Sequence, residues 1–452
     1  MLWIELAVVL GMIVVGARLG GLGLGIMGGL GTAVLVFAFG EAAAEPPVDV
    51  MLMIAAVVTA AAGLQASGGM DYLVDLATRA LRKRPSAVTF VAPMVAYAFT
   101  LFAGTGHVAY AILPVIAEVS RESGVRPERP LSISVIASQQ AITASPISAA
   151  TVAMLGLLPG HPSLGIILAV CIPATLIGCG MGAIMASRMG KDLSEDPEYL
   201  RRLSQGLLDA GGAAPAKKAP ATARSVGAAA AKDPARTRPR LSVVFFLLAV
   251  ITVVVLGSFP ELRTWSDGGG KPRVLGMAPA IEMVMLGTAA LIAVGCGANV
   301  EKMASGSVFR AGVQAVIAIF GIAWMGDTFF KGNLDQIQGP LQGVVTSHPW
   351  LFAVALFAMS ILLYSQAATV RSLMPLGVQL GLPAGVLTGM FPAVNGYFFI
   401  PNYPTIVAAI NFDRTGTTRI GKYVLNHSFM LPGLVATAGS VVAGLVLGKI
   451  LM

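Results

Sequence analysis

The chain has 452 residues, of which 56% are hydrophobic and only 12% charged, with a mean hydropathy of +0.80. Globular domains carry about twice that charged fraction, so an ordinary water-soluble fold is excluded. The net charge of +8 does not point to nucleic acid either, because the basic residues cluster in gaps between apolar runs, where they set membrane orientation.

The first apolar runs cover residues 3–17, 22–40 and 50–67, each near the roughly 20 residues that cross a bilayer as helix. The opening "MLWIELAVVLGMIVVGARLGG" has no basic leader and no clear small-residue cleavage site, which predicts a retained first helix. Within the second run, "GLGIMG" (Gly23 to Gly28) matches a dinucleotide fingerprint but follows no strand. The spacing Gly21, Gly25, Gly29 instead predicts close helix packing. The gap holding Glu41, Glu45 and Asp49 is acidic and is placed outside. The next gap holds Arg79, Arg82, Lys83 and Arg84 and is placed inside.

Run 86–117 contains no acid, lysine or arginine, yet carries Gly104, Thr105, Gly106 and His107 near its centre. It is too long for one comfortable crossing and too short for two, which need about 40 residues plus a turn. The gap after it holds Arg121, Arg126 and Arg129, again inside. A run with both ends on one side has not crossed. The expectation is a re-entrant hairpin from the cytoplasm with "GTGH" at its tip.

Spans 131–158 and 163–187 then go out and back, the first interrupted by "TASPIS" (Thr143 to Ser148). Cys171, Cys179 and Cys296 lie in apolar runs without paired spacing, and are expected as buried thiols rather than disulfides or metal ligands. Segment 188–240 carries eleven Lys/Arg against six acids and is placed inside. Its part 211–240, rich in Ala, Pro and basic residues, is expected to be a disordered linker. Spans 241–258, 274–298 and 307–325 bring the chain outside near Asp327. Run 350–380 must begin and end outside, because span 384–410 has to deliver Arg414, Arg419 and Lys422 to the cytoplasm. It is expected as a second hairpin with "SQAAT" (Ser365 to Thr369) at its tip. "PNYP" (Pro401 to Pro404) interrupts the next span, "NFDRTGTT" (Asn411 to Thr418) predicts a turn with Asp413 and Arg414 as a local pair, and 423–448 is the last crossing.

This pattern predicts an all-α polytopic membrane protein of two inverted repeats, each five transmembrane helices plus one re-entrant hairpin, with both termini periplasmic. "GTGH" and "SQAAT" are followed at equal distance by Pro114 and Pro375. Proline frees backbone groups, and at membrane depth these are tolerated only when buried in protein or lining a cavity. Two tips and two broken helices related by inversion mark the midplane site of a secondary transporter. The candidate substrate residues are Gly104, Thr105, Gly106, His107, Thr143, Ser145, Ser148, Ser365, Gln366, Thr369 and Asn402. Their hydroxyls, amides and helix N-termini suit carboxylates. Each taken singly also fits a bland reading, a hydroxyl bonded to its own helix or a histidine packed in a tip. Arg371 is added because burying an arginine costs about 2.5–3.5 kcal/mol on insertion scales, a cost that bidentate carboxylate capture would justify. Pairing with Asp327 or snorkelling is the plainer alternative. On the capture reading, Arg371→Gln abolishes uptake.

The chain resembles the anaerobic C4-dicarboxylate transporters, the Dcu family, over nearly its whole length. The likeness is carried by "PPVDVML" and "LQASGGMD" (46–71), "GTGHVAYAILPVI" (104–116), "RPERP" (126–130), "ASPIS" (144–148), "GIAWMGDTFF" (321–330), "SQAAT" and the long block 395–434. It implies a bacterial inner-membrane carrier of fumarate, succinate, malate and aspartate, acting by exchange or cation-coupled uptake. It also implies a homodimer and an elevator motion. The scaffold would be residues 1–67 and 241–325, and the mobile domain 86–187 with 350–448, joined through linker 188–240. The lipid bilayer and small dicarboxylates are the expected partners, and no cofactor or metal is expected beyond a coupling Na⁺ or H⁺. Two alternatives stand beside this. A carrier of another organic anion, such as citrate or a sugar acid, would use the same fold. An intramembrane hydrolase would need a motif such as HExxH, which the four histidines do not form.

Overall fold

The computed structural model describes residues 1–19, 22–46, 48–160, 162–208, 238–266, 272–333, 336, 347–363, 365–401, 403–423 and 425–452. The linker expectation for 211–240 therefore lies outside the described residues, except for its last three positions. The first half contains α1 (Leu2–Leu19), α2 (Gly23–Phe39), α3 (Val48–Ala66), α4 (Gly69–Lys83), α5 (Val88–Ala103), α6 (Ala109–Glu122), α7 (Glu128–Gln140), α8 (Ala149–Leu157), α9 (Leu164–Ser187) and the short α10 (Pro197–Ser204). The second half contains α11 (Pro239–Ser258), α12 (Met277–Cys296), α13 (Val300–Ser305), α14 (Ser307–Gly332), α15 (Trp350–Leu363), α16 (Gln366–Gln379), α17 (Ala384–Met390), α18 (Pro404–Phe412) and α19 (Met430–Leu451). Seven helices among the described residues are long and apolar enough to cross a bilayer.

The distribution of side chains differs from that of a soluble bundle, because many large apolar residues stand exposed and polar ones are buried within an apolar core. Phe37 and Val294 stand 88% and 89% exposed, while Ser132, Ser134, Ser138, Gln139 and Gln140 of α7 are buried. Apolar faces turned outward and polar faces turned inward fit a solvent of lipid, where interhelical contacts use small and polar residues. The three cysteines are buried free thiols, as expected. Glycines set the close approach of α2 to α14, with Gly25 of the expected set and Gly28 in place of Gly29. A Cβ on Gly25 would lie 2.3 Å from the Ile317 carbonyl oxygen, and one on Gly28 2.3 Å from the Gly321 carbonyl carbon. Gly29 faces open space, and Gly21 lies outside the described residues.

Several elements depart from the sequence reading. The chain does not leave the third span as a loop; α3 turns by 73° into α4, whose buried residues Met70, Ala77 and Leu81 give it one packed face. Strands β1 (Thr264–Ser266) and β2 (Pro272–Val274) form a small exposed antiparallel ribbon, so the fold is mostly rather than wholly helical. The last helix starts at Met430 rather than 423, because Arg419 to Ser428 fold back on themselves through an Ile420–His427 bridge.

Run 86–117 is two helices that break at Gly104 (φ +70°), where a left-handed backbone favours glycine. Length and hydropathy alone would rate Pro85–Ala103 a crossing helix. The ends of the run, however, lie together: Arg82, just before it, donates to Glu122 at the close of α6 at 2.7 Å, and Val88 and Ala92 share a core with Ile112 and Ile116. The pair is a hairpin. Run 350–380 closes in the same way, since a Cβ on Gly377 near the end of α16 would lie 2.8 Å from the ring of Phe352 at the start of α15.

One junction joins distant parts of the chain at the end of the molecule away from the tips. Arg126 is 4% exposed; its Nε donates to Glu128 at 2.5 Å and its Nη1 to Asp196. Glu128 also accepts from Ser428 at 2.6 Å, and its amide donates to Thr417 Oγ1 at 3.2 Å. Burial works against the Asp196 carboxylate, but the Tyr199 amide and the Arg126 guanidinium outweigh it and hold its pKa below the ordinary aspartate value. Asp413 does not pair with Arg414 as expected. Its carboxylate accepts from the Thr415 amide at 2.8 Å, Thr417 Oγ1 at 2.8 Å and the Thr418 amide at 2.6 Å, which ties the turn from inside.

Candidate functional site

Both predicted interruptions exist. In the first half α7 tightens into a 3-10 turn over Ala141–Ala144, the backbone runs extended at Ser145 and Ser148, and α8 restarts with Ser148 Oγ capping the Thr151 amide at 3.1 Å. In the second half the break is longer than "PNYP" implies. It spans 3-10 turns at Phe391–Val394 and Gly396–Phe398 before α18 restarts at Pro404.

The breaks and the hairpin tips meet at one cavity of about 360 Å³. Its walls include Gly104, Thr105 and Gly106 of the first tip, Ser365, Gln366 and Ala367 of the second, Ile147, Ala149 and Ala150 of the first break, and Tyr403 and Pro404 of the second. The far wall comes from α2, α3 and α14 through residues such as Leu24, Val57 and Ile319. Three helices, α8, α16 and α18, turn their first residues into this space, and the first tip leads into a fourth, α6. Helix N-termini carry free N–H groups and about half a positive charge. Among the described residues, none lining it is charged. Helix N-termini at a wall without charged side chains are a chemistry that receives anions.

The sequence candidates divide into groups. Gly104, Thr105, Gly106, Ser365 and Gln366 line the cavity. His107 follows in the short turn Gly106–Val108, although its side chain lies outside the described residues. Thr143, Ser145 and Ser148 are fully buried in the first break. Thr143 Oγ1 bonds the Gln140 carbonyl at 2.8 Å, and Ser145 Oγ has no hydrogen-bond partner among the described residues. Thr369 bonds back to the Ser365 carbonyl at 2.8 Å and braces the second tip. Asn402 lies outside the described residues.

Arg371 is not in this cavity. It lines a second one of about 620 Å³, together with Asp327, Lys331, Asp49 and Glu45. There it interacts electrostatically with Asp327 and Asp49, yet forms no ion pair within 4 Å among the described residues. Its Nε is buried without a hydrogen-bond partner. Fewer than two turns of helix from the second tip are enough to carry it out of the first cavity.

Residues that sequence reasoning passed over tie the tips to the breaks. Gln366 Nε2 donates to Gln139 Oε1 at 2.9 Å and to Asn395 Oδ1 at 3.0 Å. Asn395 Nδ2 donates to Gln140 Oε1 at 3.2 Å, and Gln140 Nε2 to Thr437 Oγ1 at 3.0 Å. The signal was present as "SQQ" and "VNG" inside uncharged apolar spans, where amides are expensive unless paired.

Comparison with known proteins follows the same lines. A family model described as anaerobic C4-dicarboxylate membrane transporter matches residues 1–452. The chain is 42% identical over 456 residues to the C4-dicarboxylate transporter DcuA of Wolinella succinogenes, covering 100% of both chains. It is 42% identical over 457 residues to DcuA of Escherichia coli K12, again covering 100% of both. To the anaerobic C4-dicarboxylate transporter DcuB of Escherichia coli O6:H1 it is 40% identical over 450 residues, covering 98% of this chain and 97% of that one. Among solved structures it resembles the YdaH transporter of Alcanivorax borkumensis, with a TM-score of 0.53, 13% identity, and 97% and 98% of the two chains covered. It also resembles the efflux pump MtrF of Neisseria gonorrhoeae, with a TM-score of 0.50, 12% identity, and 90% and 81% covered. At such identities these two likenesses concern the fold alone.

Proposed function

The chain belongs to the anaerobic C4-dicarboxylate membrane transporter family, and from that footing we propose that it carries C4-dicarboxylates across the bacterial inner membrane by exchange or cation-coupled uptake. It is a multi-pass membrane transporter rather than an enzyme. The observation that carries the substrate reading is the uncharged cavity into which three helix N-termini and both hairpin tips converge. A dianion there would meet backbone N–H groups, Thr105, Ser365 and Gln366, with no carboxylate among the described lining residues to repel it. Arg371 and Lys331, in the second cavity, would draw the anion toward the carrier rather than hold it at the tips.

The mechanism we propose is an elevator built on two inverted repeats. Packing supports it: α2 lies on α14 as α12 lies on α3, and α8 packs on α16 as α18 packs on α6, a pattern that exchanging the two halves preserves. In this reading residues 1–67 and 241–325 form the scaffold, and 86–187 with 350–448 form the moving part. Both termini are periplasmic, the carrier is a homodimer, and Na⁺ or H⁺ is the candidate coupling ion.

Counterflow of labelled fumarate and aspartate in proteoliposomes, with and without Na⁺ and a proton gradient, tests the substrate reading. Uptake competed by succinate is expected; uptake of citrate or a sugar acid in place of fumarate would overturn it. For the topology, Arg84→Cys and Arg121→Cys are expected to react with an impermeant thiol reagent from the same, cytoplasmic, face. Labelling from opposite faces would end the inverted-hairpin scheme.

A further inference from the structure

The amides that join tips and breaks have a fixed direction. Asn395 Nδ2 donates to the Pro392 carbonyl at 3.1 Å, and a carbonyl can only accept, so the orientation of Asn395 is set. Its Oδ1 must then face Gln366, whose Nε2 donates to it and also to Gln139 Oε1. Reversing Gln139 would set its NH₂ group against that of Gln366. The chain of bonds therefore ends in Gln139 Nε2, which is fully buried and has no acceptor among the described residues. A buried donor left unpaired is costly and in a native fold calls for a user.

The position of that donor indicates the user. A Cβ on Gly106 would lie 2.3 Å from Gln139 Nε2, and Gly106 itself lines the tip cavity. Gly106, which carries no side chain, therefore borders both the free amide and the space. We propose that Gln139 Nε2 is a carboxylate-binding donor of this carrier, exposed to its ligand when the first hairpin tip shifts at Gly106. The ligand class is an anionic carboxylate, because an acceptor-only group completes the amide without displacing Gln366 and gains a charge-assisted bond. The assignment rests on the tip cavity being the anion site. It adds that the amides of both halves, Gln139 and Gln140 with Gln366 and Asn395, act as one unit, so filling the first tip is felt at the second.

The test uses the full-length protein, with succinate as the probe, read by ligand-induced thermal stabilisation in detergent and by fumarate counterflow in proteoliposomes. Gln139→Glu keeps the acceptor for Gln366 but replaces the donor by a carboxylate. Succinate affinity is expected to fall about 10- to 100-fold near neutral pH, as for the loss of one hydrogen bond to a charged group. Affinity should recover relative to wild type on acidification, when the protonated side chain donates again. A merely structural role would lower the unliganded Tm and leave the pH profile parallel to wild type, which would overturn the assignment. Should that variant fail to fold, Gln139→Asn retracts the amide by one methylene, loosening its bond to Gln366 as well, and is expected to weaken succinate by more than the accompanying fall in unliganded Tm accounts for. Wild-type affinity in that variant would overturn the proposal equally. If wild type responds to succinate and the variants respond alike, only the role of Gln139 falls. If wild type ignores both succinate and fumarate, the dicarboxylate reading falls with it.

Discussion

Two buried polar regions of this molecule invite comparison: the Arg126 junction and the amide seam under the hairpin tips. At the junction the charged groups are all engaged, with one guanidinium, Arg126, shared by two carboxylates, Glu128 and Asp196, and the remaining Glu128 oxygen taken by Ser428. At the seam no described side chain carries a formal charge, and polar atoms of Gln139 and Ser145 are left over. The first is closed chemistry, and its work is to fasten the 126–128 turn, the 192–196 segment and the 413–428 turn to one another. The second is open chemistry, with capacity reserved for a molecule that comes and goes. Dipoles and amides suit that task because they cost far less to leave empty at membrane depth than ionised side chains do. The charged cavity around Arg371 stands between the two, with opposite charges facing one another but not locked together.

The widest separation between junction and seam should appear on breaking each in turn. Arg126→Leu leaves two carboxylates without their cation and is expected to cost about 3–5 kcal/mol of stability, read as a large fall in Tm, with little effect on succinate affinity in whatever protein folds. The Asp196 contribution has its own pH signature. Because its pKa is depressed in the folded protein, its stabilisation is complete above the ordinary aspartate value of about 4 and fades as pH falls through the depressed one. Loss of binding with Tm spared in that variant would show that the junction and the seam do not divide stability from binding.

Gly106→Val should do the opposite. Its Cβ would collide with the Gln139 amide, so transport is expected to drop at least ~100-fold, with a loss of stability of only about 1–3 kcal/mol. Arg371→Gln is expected to slow uptake by about tenfold at low ionic strength and less at high salt, as for a steering charge. Asp327→Asn in the same protein should restore part of the rate, since the carboxylate would otherwise lose its opposing cation. Total loss of uptake at saturating substrate, insensitive to salt, would instead move Arg371 into direct contact with the ligand. The smallest effect is assigned to Ser365→Ala, which removes the cap on the Ala368 amide at 3.2 Å. About 1 kcal/mol, or roughly fivefold in KM, is expected.

Much of this was legible in the order of residues. Hydropathy and basic gaps act on each segment against its solvent, so they identified the membrane, the two runs that fold back and the "TASPIS" break from local pattern alone. The same rules missed α4 and the start of α19, because an amphipathic helix on the surface and a folded-back turn leave no mark in average hydropathy. What only the tertiary structure decided is which groups meet. Gln140 and Asn395 bond across 255 positions of chain, Gly28 packs on Gly321 where Gly29 faces nothing, and Arg371, six residues from Ser365, opens onto a different cavity. Solvent preference is a property of a segment and can be read along a line. A hydrogen bond or a shared cavity depends on distances set by how helices turn and pack, and those exist only in the folded chain.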